Sequence, residues 1–365
     1  MDQYFKTTME RGGQVKQGKR ITINDIARSV GYSKTTVSFA FNSPQRLPEA
    51  TVNRILAVAR EMGYSPDPLA RSMATRRTGS IGLLLPQELP VIVENHLFNQ
   101  ILHGMGKALQ SEQRSVLLIP PVGGSMAAAI SGAVVDGFIT WGLERDHTAV
   151  SVLDQRGLSY VMLDGDYEKD IPCVNVDDRQ GARRAMRHVL QAGHRKITIL
   201  AFLSQHGLRY NEYTGTLGNR ILGYQDALAE FGLSLESPGI RLDMGQVTKE
   251  DGWAAMERAW EHPDFRSTAF VSMSDAAALG AIEYCAAHDI SVPEEVSIIG
   301  FDNIPESAMT DPGLTTIAQP GVEKGRLAAL MLMDLLNGTR IEEHVVLETS
   351  LIERGSVGNV MATAV

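Results

Sequence analysis

Residues 21–42 read ITINDIARSVGYSKTTVSFAFN, and this stretch decides how the amino-terminal part of the chain folds. Ile23, Ile26, Ala27 and Val30 recur at i, i+3, i+4 and i+7, a spacing that gathers apolar side chains on one helix face. Thr22 stands as the N-cap, Asp25 falls in the first turn and Gly31 ends the helix. Ser33 caps a second helix running to about Asn42. Only Gly31 and Tyr32 separate the two, a turn short enough to hold them at a steep angle, as in a helix-turn-helix. The second helix opens with Ser33, Lys34, Thr35 and Thr36, three hydroxyls and one amine. In a helix-turn-helix that end enters the major groove, where such groups reach base edges and phosphates.

Outward from this pair, a third helix has Pro48 near its start, an apolar face of Val52, Ile55, Leu56, Ala59 and Met62, and Gly63 as its stop. A breaker segment, YSPDP at 64–68, precedes a short helical stretch at 69–75 and then RRTG at 76–79. Residues 1–20 are polar and without periodicity, which predicts a disordered lead. Charge divides at Gly79. Residues 1–79 hold 13 Lys/Arg against 6 Asp/Glu, the rest holds 21 against 37, and the whole chain is at −9. A basic head on an acidic body predicts that the head meets a polyanion.

Beyond Gly79 the pattern changes. Short apolar strands at 81–85, 115–119, 137–141, 160–163, 197–201, 269–272 and 296–301 alternate with helical stretches. The helices fall at 98–110, 179–192, 220–231, 251–261 and 276–288. Continuous apolar strands between helices indicate parallel sheets covered on both faces. About 280 residues of this pattern exceed what one sheet holds, so two α/β lobes are expected.

Several function classes drop out. No apolar run reaches the ~18 residues of a membrane helix, and residues 1–20 contain no apolar core of a secretory signal, so a cytoplasmic protein is expected. Cys173 and Cys285 lie far apart without C-x-x-C spacing, which excludes a disulfide scaffold and a thiolate zinc site. The nine histidines show no metal spacing, and no metal or cofactor is expected. G-x-S-x-G, P-loop, H-E-x-x-H and G-x-G-x-x-G motifs are all missing, which argues against an enzyme.

Trp141, Asp164, Asp275 and Asp302 each follow a predicted strand closely. In open α/β sheets ligands bind outside the carboxyl ends of the strands. Carboxylates there accept hydrogen bonds from hydroxyls or amines, and a tryptophan face covers a sugar ring or a base. Each Asp taken singly equally fits a cap on the following helix. Asp136, inside Val-Asp-Gly, reads as structural, and Trp253 and Trp260, seven apart, read as helix-core residues.

Taken together, the motifs resemble those of the lactose-repressor (LacI/GalR) family of transcription regulators. They are Ile21-Thr22-Ile23-Asn24-Asp25-Ile26-Ala27, Gly31-Tyr32-Ser33-x-x-Thr36-Val37-Ser38, Asn42 and Glu61-Met62-Gly63-Tyr64-Ser65-Pro66. The likeness continues through Ala70-Arg71-Ser72-Met73, Gly193-His194-Arg195-Lys196, Arg220-x-x-Gly223-Tyr224, Gly300-Phe301-Asp302-Asn303 and Leu314-Thr315-Thr316, and covers roughly residues 20–355. It implies an all-α helix-turn-helix head with a hinge helix, followed by a two-lobed α/β core like a periplasmic binding protein, with parallel sheets. The expected divisions are a lead at 1–20, the head at 21–65, hinge and linker at 66–79, the core at 80–356 and a tail at 357–365.

The resemblance also implies roles. Ser33, Lys34, Thr35, Thr36 and Phe39 would face the major groove, with Thr22 and Asn42 on phosphates. Ala70 and Met73 of the hinge helix would meet the minor groove, Met73 standing where the family usually has a leucine wedge. Arg220 and Asp302 match the pair that grips effectors, with Trp141, Asp164 and Asp275 beside them. Expected partners are a pseudo-palindromic operator in double-stranded DNA, a sugar or sugar derivative as effector, and a second copy of the chain. Residues 355–365 carry no leucine heptad, so a dimer rather than a tetramer is expected. Departures are Phe39 where an arginine is usual, Leu47-Pro48 in place of a Ser/Thr cap, and Val247 near the position of a stacking aromatic. The segment 203–218, with Tyr210 and Tyr213, is longer than usual and reads as a lid or a surface loop. Two rivals share the core fold. A sugar-processing enzyme needs a catalytic constellation, and a solute-binding protein should carry a signal and lack the basic head.

Overall fold

Gly31, at φ +74°, turns the chain between the first two helices, a backbone conformation that glycine adopts without strain. The computed structural model describes residues 21–75, 77–143, 148–165, 171–202, 210–246, 248–339, 341 and 344–360. The expected disordered lead at 1–20 therefore lies outside the described residues. The chain divides into two compact units, Met1–Thr78 and Gly79–Val365.

In the first unit, α1 (Ile23–Val30), α2 (Lys34–Asn42) and α3 (Glu49–Glu61) pack around Ile26, Val30, Val37, Ala40, Ile55 and Ala59. Ile26 and Ile55 are fully buried, each stabilising the unit by roughly 1.5–3 kcal/mol relative to an exposed side chain. Ser33 Oγ accepts from the Thr36 amide at 3.0 Å and starts α2. Pro48 stands at the N-cap of α3 without a side-chain cap. Helix α4 (Pro68–Thr75) follows.

Among its described residues the second unit holds twelve strands. In chain order they are β1 (Ser80–Leu84), β2 (Ser115–Ile119), β3 (Gly137–Trp141), β4 (Ser159–Leu163), β5 (Cys173–Val176) and β6 (Ile197–Phe202). Then come β7 (Ile240–Gly245), β8 (Ala269–Ser272), β9 (Ser297–Asp302), β10 (Thr315–Ala318), β11 (His344–Leu347) and β12 (Ser350–Ile352). They form two six-stranded sheets, ordered β11-β5-β4-β3-β1-β2 and β12-β10-β9-β8-β6-β7. Every pairing is parallel except β10 with β12. Strands β3, β5 and β9 are buried along their whole length, as sheets covered on both faces require.

Helices α5 (Leu89–Glu94), α6 (His96–Ser111), α7 (Met126–Gly132) and α8 (Thr148–Gln155) belong to the first lobe. Helices α9 (Asp178–Gln191), α10 (Gly215–Glu230), α11 (Lys249–Glu261) and α12 (Asp275–Ala287) belong to the second. Helix α13 (Gly321–Leu336) returns to the first and packs on α6. Gly104 and Gly325 allow that approach, because a Cβ on either would collide with the Val322 or Ile101 carbonyl of the facing helix. The chain crosses between lobes three times, after β5, after β10 and between β11 and β12. Residues 357–360, expected in a separate tail, are fastened to the second lobe through His194 Nε2 with Gly358 O (3.0 Å) and Val360 N to Ala192 O (2.8 Å). Among the described residues no helix is long and apolar enough to cross a membrane.

Candidate functional site

In the first unit, the start of α2 leaves Lys34 and Thr35 exposed. Ser33 and Thr36 face each other, their hydroxyls 2.8 Å apart, so both also hold the helix start. Thr22 donates to Asp25 through its hydroxyl (2.7 Å) and its amide (2.9 Å), and Asn42 Nδ2 donates to Ser38 Oγ (3.2 Å). Phe39 is half-buried, and the Arg46 guanidinium, from the turn after α2, lies over its ring 5.2 Å from the centroid. Sequence reading did not single out Arg46, which is 7 positions from Phe39 and in another element. On α4, Ala70 is exposed and Met73 is 83% exposed, a large apolar side chain left in water.

In the second unit, the strand order reverses between β3 and β2 beside β1, and between β8 and β7 beside β6. Such switch points open a crevice at the carboxyl ends of the strands. A cavity of about 230 Å³ lies there, with Trp141 and Asp164 from the first lobe and Arg220 and Asp302 from the second in its wall. These four predicted residues are brought together. Ile92, Leu97, Leu143, Phe202 and Leu217 supply apolar surface between them.

Asp164, at the end of β4, and Asp302, at the end of β9, sit at φ +54° and +126°, where residues with a Cβ are strained. Hydrogen bonds hold both. Lys324 Nζ donates to both Asp164 oxygens (2.8 and 2.9 Å) and to Gln319 Oε1 (2.7 Å), and Trp141 Nε1 donates to Asp164 Oδ2 (2.9 Å). Gln319 Nε2 in turn donates to Asp302 Oδ1. A continuous chain thus runs from Trp141 in one lobe to Asp302 in the other. Burial pushes the Asp302 carboxyl up to about 7, against the pull of Arg220. Arg220 is buried, its Nε donating to Asp178 Oδ1 at 2.8 Å and its Nη1 to the Met273 carbonyl, with its guanidinium 3.7 Å from the Phe301 ring centroid. Trp141 stacks on Phe98 on its other side, centroids 6.2 Å apart.

Asp275 is the exception among the predicted residues. It is fully buried and turned away from the cavity, accepting from Ser307 Oγ, Thr316 Oγ1 and the Ile304 amide (3.0 Å). Gly300 leaves the space that its carboxylate fills. Burial raises its carboxyl, and the two hydroxyls oppose that. Asp275 ties β9 and β10 to α12 and leaves the set of ligand contacts. Sequence reading missed Lys324, Gln319 and Asp178. The signals available were a lysine inside an apolar helical stretch, a glutamine at a lobe crossing and an acid just after β5. Of the segment 203–218, residues 203–209 lie outside the described residues, and so does Val247. The remainder opens α10, where Thr214 and Leu217 line the cavity and the Tyr213 hydroxyl donates to the Phe202 carbonyl (3.0 Å). Trp253 and Trp260 pack partly buried against the core beside α12, as expected.

Residues 22–67 match the family described as bacterial regulatory proteins, lacI family, and residues 186–357 match the periplasmic binding protein-like domain. An HTH-type transcriptional regulator of Mycobacterium tuberculosis is 31% identical over 358 residues, covering 93% of this chain and 98% of its own. The HTH-type transcriptional repressor CytR of Escherichia coli is 30% identical over 355 residues, covering 93% and 97%. The solved structure of the transcriptional regulator CelR–cellobiose complex is 27% identical, with TM-score 0.67 over 92% of this chain and 100% of that one.

Proposed function

The chain belongs to the lacI family of bacterial regulatory proteins, and from that premise we infer a sequence-specific repressor whose hold on operator DNA is set by a small polyhydroxyl molecule between its core lobes. The observation that carries this reading is the convergence of Trp141, Asp164, Arg220 and Asp302, two from each lobe, on one cavity. A guanidinium and carboxylates around apolar surface suit a sugar, whose hydroxyls donate and accept while its C–H face rests on an indole. The cellobiose bound by the structural neighbour CelR is of that chemistry. The regulator acts in the cytoplasm as a homodimer, carries out no chemistry of its own and uses the small molecule as effector rather than cofactor.

In the head, Lys34, Thr35, Ser33, Thr36 and Phe39 read the major groove, Thr22 and Asn42 contact phosphates, and Ala70 and Met73 enter the minor groove. The exposure of Met73 supports that role, since an apolar wedge must be free to insert. A ligand touching both lobes favours one arrangement of them, and such coupling typically changes affinity about 5–150-fold. The test is to select an operator from random DNA with the full chain and to screen sugars for a raised melting temperature. Operator is then titrated with and without the active sugar, for the parent and Asp302→Ala. The variant should keep its ligand-free operator affinity and lose the response. A variant that responds as the parent does would place the sensor elsewhere.

A further inference from the structure

Thr35 and Phe39 stand four apart in α2 and share a face, turned away from Val37 and Ala40, which are buried in the core of the first unit. The turn that follows is tied to this face. The Ser43 amide donates to the Phe39 carbonyl (2.8 Å) and the Arg46 amide to the Ser43 carbonyl (3.0 Å), with Pro44 between them. Pro44 fixes its own φ, and Leu47, next after Arg46, packs partly buried against the core. Both ends of the turn are fastened, so Arg46 meets the Phe39 ring from a defined backbone.

Arg46 is exposed, with its guanidinium carbon 5.2 Å from the Phe39 ring centroid. Attraction between a cation and a ring face uses no hydrogen-bond acceptor, so the ring holds the charge and leaves the five N–H donors unspent. Among the described residues no carboxylate or carbonyl engages them. The other arginines of residues 21–67 are placed differently. Arg28 pairs with Asp25 (3.7 Å), Arg60 Nε donates to the Leu56 carbonyl (3.3 Å), and Arg54 lies over Tyr32, before α2 begins (5.8 Å). Lys34 is a point charge without a fork of donors.

A guanidinium with its fork open is the group that binds guanine O6 and N7 together. Held in place beforehand, it loses less freedom on binding than a swinging side chain. Its platform favours a base over a phosphate, because Phe39 lies on the outer face of α2 with Thr35, and a cation over that ring is carried toward base edges. We propose that Arg46 is the guanine-reading side chain of this head and that the Phe39 ring positions it. The guanidinium usual at position 39 is thus supplied from the turn beyond α2, and it meets a base pair beside the one beneath residue 39. The assignment rests on the reading of α2 as the helix that enters the major groove.

The test is to select half-sites from random DNA with the full chain, then to titrate the selected operator with each base substituted in turn. The proteins compared are the parent, Arg46→Ala, Phe39→Leu and Phe39→Tyr. The parent should prefer guanine at one base pair by about tenfold or more. Arg46→Ala should lose that preference and keep the order of preference at every other position. Phe39→Leu, which keeps Arg46 and removes the ring, should cut the same preference by about threefold or more, while Phe39→Tyr, which keeps a ring, should retain it. Two outcomes in Arg46→Ala overturn the assignment: equal weakening at every sequence, the mark of a phosphate contact, or preferences left unchanged. A preference lost in Arg46→Ala but kept in Phe39→Leu, or lost in Phe39→Tyr, overturns the platform. A parent that binds all sequences alike removes the major-groove reading first, and this one with it.

Discussion

Asp302 shows how one side chain sets the chemistry of the cavity. Lys324 occupies Gln319 Oε1, which fixes the amide so that Nε2 faces Asp302 Oδ1. Oδ2 is left as the atom that changes between donor and acceptor when the carboxyl titrates near 7. Burial favours the neutral form in the folded chain, so this contribution to stability is full below the ordinary carboxyl range and is lost as pH rises through about 7. Stability should therefore fall as pH rises toward and through about 7, and Asp302→Asn should flatten that part of a stability–pH profile measured by denaturant melts. Ligand hydroxyls that donate to Oδ2 should bind more tightly over the same rise. Phe39 makes the second residue-scale case. Its ring has no hydrogen-bond donor, so Phe39→Arg should shift selection from random half-sites toward guanine at one base pair, whereas Lys34→Ala should weaken binding to the operator. Identical preferred sites for parent and Phe39→Arg would show that residue 39 does not face the bases. Trp141, Asp164 and Asp302 were legible because a polar or aromatic residue at a strand end is visible in sequence, and Arg220, inside α10, only through the Arg-x-x-Gly-Tyr motif. Asp275 carries the same signature and points inward, since only the packing of Ser307 and Thr316 around it decides the direction.

At the scale of elements, the strands that sequence revealed are continuous apolar runs, and all of them except the edge strand β2 lie inside their sheets. The ones it missed are short, polar or at edges: β5 contains Asn175, β10 begins with two threonines, β7, β11 and β12 lie at the margins. Helix α13 was hidden for a different reason. Gly321 and Gly325 weaken its intrinsic preference, and Lys324 interrupts the buried stripe of Ala328, Met331 and Leu332. Both irregularities have structural causes, the close packing of Ile101 against Gly325 and the need of buried Asp164 for a cation. Lys324 is fully buried and Asp164 is 9% exposed, so Lys324→Met leaves a carboxylate unpaired away from water. Breaking such a pair costs about 3–5 kcal/mol. Adding Asp164→Asn should restore a substantial part of that stability, because the amide oxygen still accepts from Trp141 Nε1. Additive losses in the double variant, measured by denaturant unfolding, would show that the two side chains do not act as a pair.

For the whole molecule, the division of charge is plain in the amino-acid sequence: residues 1–79 are basic and the remainder is acidic. So is the split at Gly79 between helices and alternating strands, which follows from a change of hydrophobic period from 3.6 to short continuous runs. The number of copies needed to read DNA is not, because it depends on contacts that no single chain makes with itself. It follows instead from size. Helix α2 has nine residues and is about 14 Å long, enough for one stretch of major groove and for Lys34, Thr35 and their neighbours to reach a few base pairs. A site that short recurs throughout a genome, so specificity requires two heads on two half-sites. Two copies related by a twofold axis place their recognition helices on one face of the duplex, about one helical turn or a multiple apart, and the site is a pseudo-palindrome. Light scattering should therefore return a dimer, and the selected operator should lose most of its affinity when about 5 base pairs, half a turn, are inserted at its centre. The insertion turns the second half-site to the far face of the DNA while every base contact within each half-site remains possible. Binding that survives the insertion undiminished, or a monomer that holds the intact operator as tightly, would mean that one head suffices.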